Sequence, residues 1–340
     1  MAKRLLDVVN LNKEFQVKSD KTFFRKPASI RVLSDVSFEL YEGETLSIVG
    51  ESGCGKTTLG RCIVRGMNAT SGQVLYHTED GGRVDFLSLR GKDFKKLRKE
   101  IQMIFQDPYS SLSPRMSVYD IISEPLLANF KLSKSEVEEK VTDIAQKTGL
   151  NVSYLRRYPH AFSGGQRQRI AIARSLISNP RLIVCDEAVS ALDVSIKAQI
   201  INLLKDLQQQ LQITYIFISH DLSIVQNISD RVAVMHLGKI VELAHVELLF
   251  KQPKHPYTEA LLSAVPEPDP DLKKDRIILE GEVPNPANPP SGCHFHPRCA
   301  YKTDLCVKKE PELMSIGDGH YVACHYANDL KLRGVNHDES

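Results

Sequence analysis

An α/β fold is predicted for most of this chain by three features. Short apolar runs alternate with amphipathic stretches over residues 1–250, the strand–helix alternation of that class. The runs are continuously apolar, as expected of strands covered on both faces. A glycine-rich turn from Gly50 to Gly55 stands between one such run and a helix-like segment, the context a phosphate-binding loop requires.

Taken in order, Thr45–Val49, Ile101–Phe105, Leu182–Cys185, Ile213–Ile218 and Val232–Met235 read as buried strands. Lys56–Val64, Val118–Leu127, Ser135–Lys147 and Gly164–Ser178 read as helices, so about 107–178 forms a helical insert within an α/β domain of residues 1–252. Residues 70–100 are polar and broken by Gly81, Gly82 and Gly91, the character of a surface hairpin. From Pro253 to Pro290 the composition changes: nine of the seventeen prolines fall there. Proline fixes φ and removes a donor, so 253–292 is expected to be an extended linker. A cysteine-rich module at 293–327 and a loose tail at 328–340 follow.

With 340 residues, 42% of them apolar and 25% charged, and a net charge of +2, the chain has the balance of a soluble globular protein of roughly two to three domains. No window approaches the ~18 consecutive apolar residues of a spanning helix. The apolar stretch near Met1 is cut by Asp7 and Asn10, which does not fit a secretion signal. Near-neutral charge argues against a dedicated nucleic-acid binder.

Gly50-Glu51-Ser52-Gly53-Cys54-Gly55-Lys56-Thr57 fits G-x-x-x-x-G-K-[ST]. Glycines let backbone N–H groups turn toward phosphate oxygens, and the following helix N-terminus adds its positive dipole end. Lys56 supplies a charge to the β- and γ-phosphates, and the Thr57 hydroxyl can ligate Mg²⁺. Leu182 to Cys185 runs into Asp186 and Glu187, acids placed where a metal ligand and a general base belong. Asp186 is expected to hold Mg²⁺ and Glu187 to polarise the attacking water. Ser163-Gly164-Gly165-Gln166 opens a long helix. Plain capping explains Ser163, but not two glycines that lower helix propensity, so a second phosphate-binding surface is expected there.

Seven cysteines, an odd number, argue against a disulfide framework. Cys293, Cys299, Cys306 and Cys324 crowd together with spacing C-x5-C-x6-C-x17-C. Four thiolates suit a [4Fe–4S] cluster or a structural Zn²⁺. The lack of C-x2-C pairs lowers the zinc expectation, while His294, His296, His320 and His325 leave a mixed site open. Four unliganded thiols are the bland alternative.

This set of motifs resembles the nucleotide-binding domain of ATP-binding cassette (ABC) transporters, a P-loop NTPase fold with an antiparallel β subdomain and a helical subdomain. The resemblance makes Ser163 to Gln166 the signature motif that contacts ATP of the opposite subunit. It matches Gln106 to the loop glutamine that contacts Mg²⁺ and the attacking water, and His220 to the histidine gripping the γ-phosphate. Ser190-Ala191-Leu192-Asp193 matches the loop touching the opposite subunit, with Asp193 near the nucleotide. Thr58 falls in the phosphate loop's binding set, and Phe15 is the candidate to stack on adenine, with Phe23 and Phe24 nearby. Ala188 departs from the family's usual proline.

Asp107-Pro108-Tyr109-Ser110-Ser111-Leu112, His255-Pro256-Tyr257-Thr258, Ser263-Ala264-Val265-Pro266 and Pro289-Pro290-Ser291-Gly292-Cys293 running into Phe295-His296-Pro297-Arg298-Cys299 resemble ATP-binding subunits of bacterial dipeptide and oligopeptide importers. Cys185-Asp186-Glu187-Ala188-Val189-Ser190 looks closer to the second of that system's two ATPases. The resemblance implies an iron–sulfur cluster on the four cysteines. It also implies two permease subunits, a second homologous ATPase subunit, an extracellular peptide-binding protein, and a peripheral place on the cytoplasmic face of the membrane. A soluble cassette ATPase acting on nucleic acid or ribosomes is the alternative, and one phosphate loop in the chain speaks against it. A small-molecule kinase leaves Ser163 to Gln166 unexplained.

Overall fold

The computed structural model describes residues 3–17, 28–265, 276–282 and 284–335. In chain order the elements are β1 (Arg4–Val17), β2 (Ala28–Tyr41), β3 (Thr45–Val49), α1 (Lys56–Ile63), β4 (Ser71–His77), β5 (Arg83–Asp85), α2 (Gly91–Arg98), β6 (Ile101–Ile104), α3 (Pro108–Ser111), α4 (Val118–Asn129), α5 (Lys134–Lys147) and α6 (Gly164–Leu176). They continue with β7 (Leu182–Asp186), α7 (Val194–Leu211), β8 (Thr214–Ile218), α8 (Leu222–Ile228), β9 (Arg231–His236), β10 (Lys239–His245), α9 (Val246–Lys251), α10 (Pro256–Ser263), α11 (Asp304–Lys308), β11 (Met314–Gly317) and β12 (His320–Val322).

The chain divides into two compact units. One comprises residues 1–5, 40–45 and 77–218, and the other residues 6–39, 46–76 and 219–340. In the first unit, β6, β7 and β8 pair in parallel, with Ile101 opposite Leu182 and Leu182 opposite Thr214. Every residue of β7 and β8 is buried, which is why these strands read as unbroken apolar runs. Helices α3, α4 and α5 pack on α6. Helices α4, α5 and α6 each open on a serine whose side chain accepts from the third residue of the helix in a reciprocal capping box, so their starts are set locally.

The second unit holds a set β2-β1-β4, with β1 and β4 antiparallel, and a run β11-β12-β10-β9-β3. Strand β3 is parallel to β9, and β9 turns back into β10 through Leu237 and Gly238. Its core gathers Val49, Val234, Tyr257, Leu262, Phe295 and Val335. Tyr257 belongs to α10, so Pro256–Ser263 is helical within the stretch expected to be extended. Pro256 sits at the first helical position, where its missing donor costs nothing. The cysteine-rich segment expected at 293–327 contributes to the same core. Phe295 is 2% exposed within the same core as Val49 and Tyr257. The stretch read as a surface hairpin carries β4 and β5, but Val74, Tyr76 and Phe86 are fully buried.

Candidate functional site

The phosphate loop lies in the second unit, between β3 and α1. Gly50, Cys54, Gly55 and Lys56 are buried, Thr57 and Thr58 are half-buried, and Ser52 and Gly53 are exposed. Two glycines are obligatory on steric grounds. A Cβ at Gly50 would meet the Met235 carbonyl oxygen at 2.2 Å, and one at Gly55 the Val32 carbonyl oxygen at 2.8 Å, both at positive φ. Helix α1 starts at Gly55 without a side-chain cap and with no acid in its first turn. Its first N–H groups therefore have no anionic competitor on the helix itself, as an anion site at a helix start needs. The Lys56 ammonium donates to the carbonyl oxygens of Gly50 (2.7 Å) and Glu51 (2.9 Å), contacts that phosphate oxygens can replace. Burial raises the Cys54 thiol, so it stays protonated and neutral at physiological pH.

Three contacts hold this loop from other segments. The Gly238 N–H donates to the Cys54 carbonyl at 2.9 Å. The Glu51 N–H donates to the Tyr257 hydroxyl at 2.9 Å. Both Nη atoms of Arg298 donate to the Glu51 carboxylate, at 2.8 and 2.9 Å. Sequence reasoning missed Tyr257 and Arg298 as partners of the loop. A carboxylate inside an anion-binding loop was the available signal, since it calls for a cation. His220 is exposed just after β8, and Phe15 is 38% exposed with the Lys13 ammonium 4.8 Å from its ring centre. Phe23, Phe24 and Pro266 lie outside the described residues, as does the end of the expected tail from residue 336.

The acids and the signature segment lie in the first unit. Asp186 is buried at the end of β7 and Glu187 follows it, half-buried. Glu187 has φ 48°, a left-handed conformation that non-glycine residues adopt at a cost. Its N–H donates to the Ile218 carbonyl at 3.0 Å, and its own carbonyl accepts from the N–H and hydroxyl of Ser190. These bonds hold the Glu187 backbone in that conformation. Gln106, exposed beyond β6, donates to the Glu187 carboxylate at 2.8 Å. The structure thus brings Gln106 directly to Glu187, a contact that sequence reasoning did not anticipate.

Ser163 and Gln166 form the capping box of α6: the Ser163 N–H donates to the Gln166 side-chain oxygen at 3.0 Å. Capping therefore accounts for the serine and the glutamine. Gly165 has a packing cause, because a Cβ there would lie 2.6 Å from Ile196 Cγ2 on α7. Gly164 meets nothing closer than Leu192 Cδ2 at 3.6 Å, so sterics do not require it. Asp193 caps α7, accepting from the Ile196 N–H at 3.0 Å. That backbone bond, with a second from the Ser195 hydroxyl, holds its carboxyl below the usual range.

Cys293, Cys299, Cys306 and Cys324 are free thiols lining one narrow cavity of about 20 Å³, together with His296 and His325. The Cys293 N–H donates to the Cys306 carbonyl at 2.8 Å. Burial first, and then neighbouring cysteines, push the thiols of Cys299 and Cys324 up to about 11. Among the described residues no group of three or more His, Cys, Asp or Glu side chains is arranged as a metal site. His320 is committed elsewhere, its Nε2 lying 2.7 Å from the buried Glu242 carboxylate. No described helix is long and apolar enough to cross a membrane.

Residues 33–190 match the family model "ABC transporter", and residues 241–306 match "Oligopeptide/dipeptide transporter, C-terminal region". The chain is 50% identical, over 94% of its length and 96% of the relative's, to the oligopeptide transport ATP-binding protein OppF of Haemophilus influenzae. It is 49% identical to AppF, an oligopeptide transport ATP-binding protein of Bacillus subtilis, over 94% of this chain and 97% of the relative. It is 48% identical to the dipeptide transport ATP-binding protein DppF of H. influenzae, over 95% and 96%. Among solved structures, the dimeric post-hydrolysis state of the ATP-binding cassette MJ0796 bound to ADP and Pi matches with TM-score 0.61 and 25% identity, over 71% of this chain and 99% of that one. CbiO1 of Clostridium perfringens, part of an ABC transporter complex, matches with TM-score 0.61 and 29% identity, over 73% and 91%.

Proposed function

Because the chain belongs to the family of ATP-binding subunits of oligopeptide and dipeptide ABC transporters, we propose that it hydrolyses ATP to drive peptide uptake through membrane-spanning permease subunits. The observation that carries this is the identity of about half over nearly the full length of peptide-transport ATPases, joined to a C-terminal match specific to peptide transporters. The nucleic-acid alternative gains no support from these relatives.

In this reading Lys56 leaves the Gly50 and Glu51 carbonyls and takes the β- and γ-phosphates, while the N–H groups at the start of α1 bind the same anion. Gly50, Ser52, Gly53, Cys54, Gly55, Thr57 and Thr58 line the loop, and Phe15 stacks on adenine. Thr57, Gln106 and Asp186 offer oxygen ligands suited to Mg²⁺, which supplies neutralisation of charge on the transferring phosphoryl group. Glu187 orients and deprotonates the attacking water, and Gln106, already bonded to Glu187, positions it. His220 contacts the γ-phosphate. Ser163, Gly164, Gly165, Gln166 and Asp193 complete the site of a second, homologous ATPase subunit. Closure of that pair moves the surface from Asp107 to Leu127 against the permease, on the cytoplasmic face, with peptide delivered by an extracellular binding protein.

Four free thiols on one cavity supply the donor type of a four-sulfur metal centre, although they are not arranged as one in the structure. We assign Cys293, Cys299, Cys306 and Cys324 to a [4Fe–4S] cluster, with Zn²⁺ as the competing occupant; either would cross-link the segment. The cavity as it stands holds one or two water-sized groups, so the cluster requires the thiols to part. Protein purified anaerobically should show broad absorbance near 400 nm (roughly); colourless protein with one zinc per chain contradicts the cluster. For the ATPase itself, Glu187→Gln should retain ATP binding and lose turnover, and undiminished hydrolysis removes Glu187 from that role.

A further inference from the structure

Glu51 is an anomaly in its setting. It puts a carboxylate inside a loop otherwise built to receive a polyanion, one residue after Gly50 and five before Lys56. An acid there has two costs. It repels the incoming phosphates, and it attracts the ammonium those phosphates need. The structure cancels both from a distance of 247 residues in sequence, through the paired bonds from Arg298. The Arg298 side chain is 7% exposed and that of Glu51 25%, so solvent screens the pair only in part. The planar guanidinium meets both carboxylate oxygens, which fixes direction as well as distance.

The support of Arg298 is packed in turn against the core. Its N–H donates to the Phe295 carbonyl at 3.0 Å, and the Phe295 ring packs on Tyr257 (5.4 Å between centres) and His236 (5.5 Å). Tyr257 in turn accepts from the Glu51 N–H. One residue of the loop is thus held at its backbone and at its side chain by two residues of the C-terminal segment, and both lie within the 241–306 match.

We propose that Arg298 is a positioning residue for ATP binding: it cancels the Glu51 charge and, with Tyr257, keeps the phosphate loop receptive to a triphosphate. This role presupposes that the loop binds ATP, as proposed above. The hydrogen bonds from Arg298, with the positive charges of Arg298 and Lys56, hold the Glu51 carboxyl below its usual range, so it remains charged throughout the physiological range. Freed of Arg298, that charge would turn to Lys56 and compete with nucleotide. The pair also ties the cysteine segment, through the neighbouring Cys299, to the nucleotide loop.

The test is equilibrium binding of a fluorescent ATP analogue with Mg²⁺ to the full-length chain and its variants, with circular dichroism reporting the fold. Arg298→Gln should weaken binding roughly 10-fold. Adding Glu51→Gln to that variant should restore binding to within about 3-fold of wild type, because no unpaired acid is left to rescue. A purely structural bond predicts the opposite, since the double variant lacks it too. Wild-type affinity in Arg298→Gln, or a folded double variant as weak as the single one, overturns the proposal. If Arg298→Gln does not fold, Arg298→Lys replaces it: one ammonium cannot hold both oxygens, so binding should weaken roughly 3-fold, and unchanged binding overturns the role. Lys56→Ala separates the two claims. If it binds like wild type, or wild type does not bind, the ATP-binding reading fails rather than the role of Arg298.

Discussion

Gly165→Ala should change the sign of its effect on stability with the residue at position 196. The backbone at Gly165 is ordinary right-handed helix, absent from the positive-φ positions, so alanine is conformationally allowed and by propensity alone stabilises by up to ~1 kcal/mol. Against that gain, the new Cβ would lie 2.6 Å from Ile196 Cγ2. A β-branched side chain in a helix has one strongly preferred χ1 rotamer, so Cγ2 cannot swing away. Either α6 or α7 must shift by several tenths of an ångström, at roughly 1–3 kcal/mol for overpacking. The net is a loss of up to about 2 kcal/mol. In an Ile196→Ala background the obstructing methyl is gone, and the same substitution should stabilise by about 0.5–1 kcal/mol. Urea unfolding of the four proteins, followed by circular dichroism, measures both steps. Equal destabilisation in both backgrounds would mean that something other than the approach of Ile196 demands glycine, and the packing explanation would be wrong.

Other expectations follow from the same geometry. Lys56→Ala should weaken nucleotide binding on the order of 100-fold, read by the same fluorescent analogue, because no other side chain inside the loop carries positive charge. Gln106→Ala should lower turnover by about 10-fold with little change in KM, given its bond to the Glu187 carboxylate and the orienting role proposed for it; a change confined to KM would contradict that. Burial pushes His236 down to about 4 from 6.5. It is neutral when folded and protonated when unfolded below 6.5, so stability is full above pH 6.5 and falls toward pH 4, by up to about 3 kcal/mol. His236→Asn should flatten that part of the stability–pH profile in thermal unfolding.

The loop and strand that frame the candidate site were legible because each sits in a local pattern. The phosphate loop needs glycines at fixed offsets, and β7 must be apolar to be buried and acidic at its end. Strand limits agreed to within a residue or two for the same reason: Thr45–Val49 and Leu182–Asp186 are buried throughout. What escaped were relations between distant segments. Nothing near Glu51 announces Arg298, and nothing in Gly165 distinguishes an anion site from the approach of Ile196, thirty-one residues on. Proline content suggested an extended 253–292, but Pro256 starts a helix whose Tyr257 is fully buried. The glycines at 81, 82 and 91 concealed Val74, Tyr76 and Phe86 in the core. Long-range burial overrode local composition in both cases.

The central claim is that ATP hydrolysis by this chain powers peptide uptake, with Glu187 as the base. It is tested most directly by measuring uptake of a radiolabelled oligopeptide in cells whose only copy of this subunit is wild type or Glu187→Gln, with assembly of the membrane complex verified in both. The account predicts accumulation with the wild type and none above background with the variant. Equal accumulation in the two strains would contradict it.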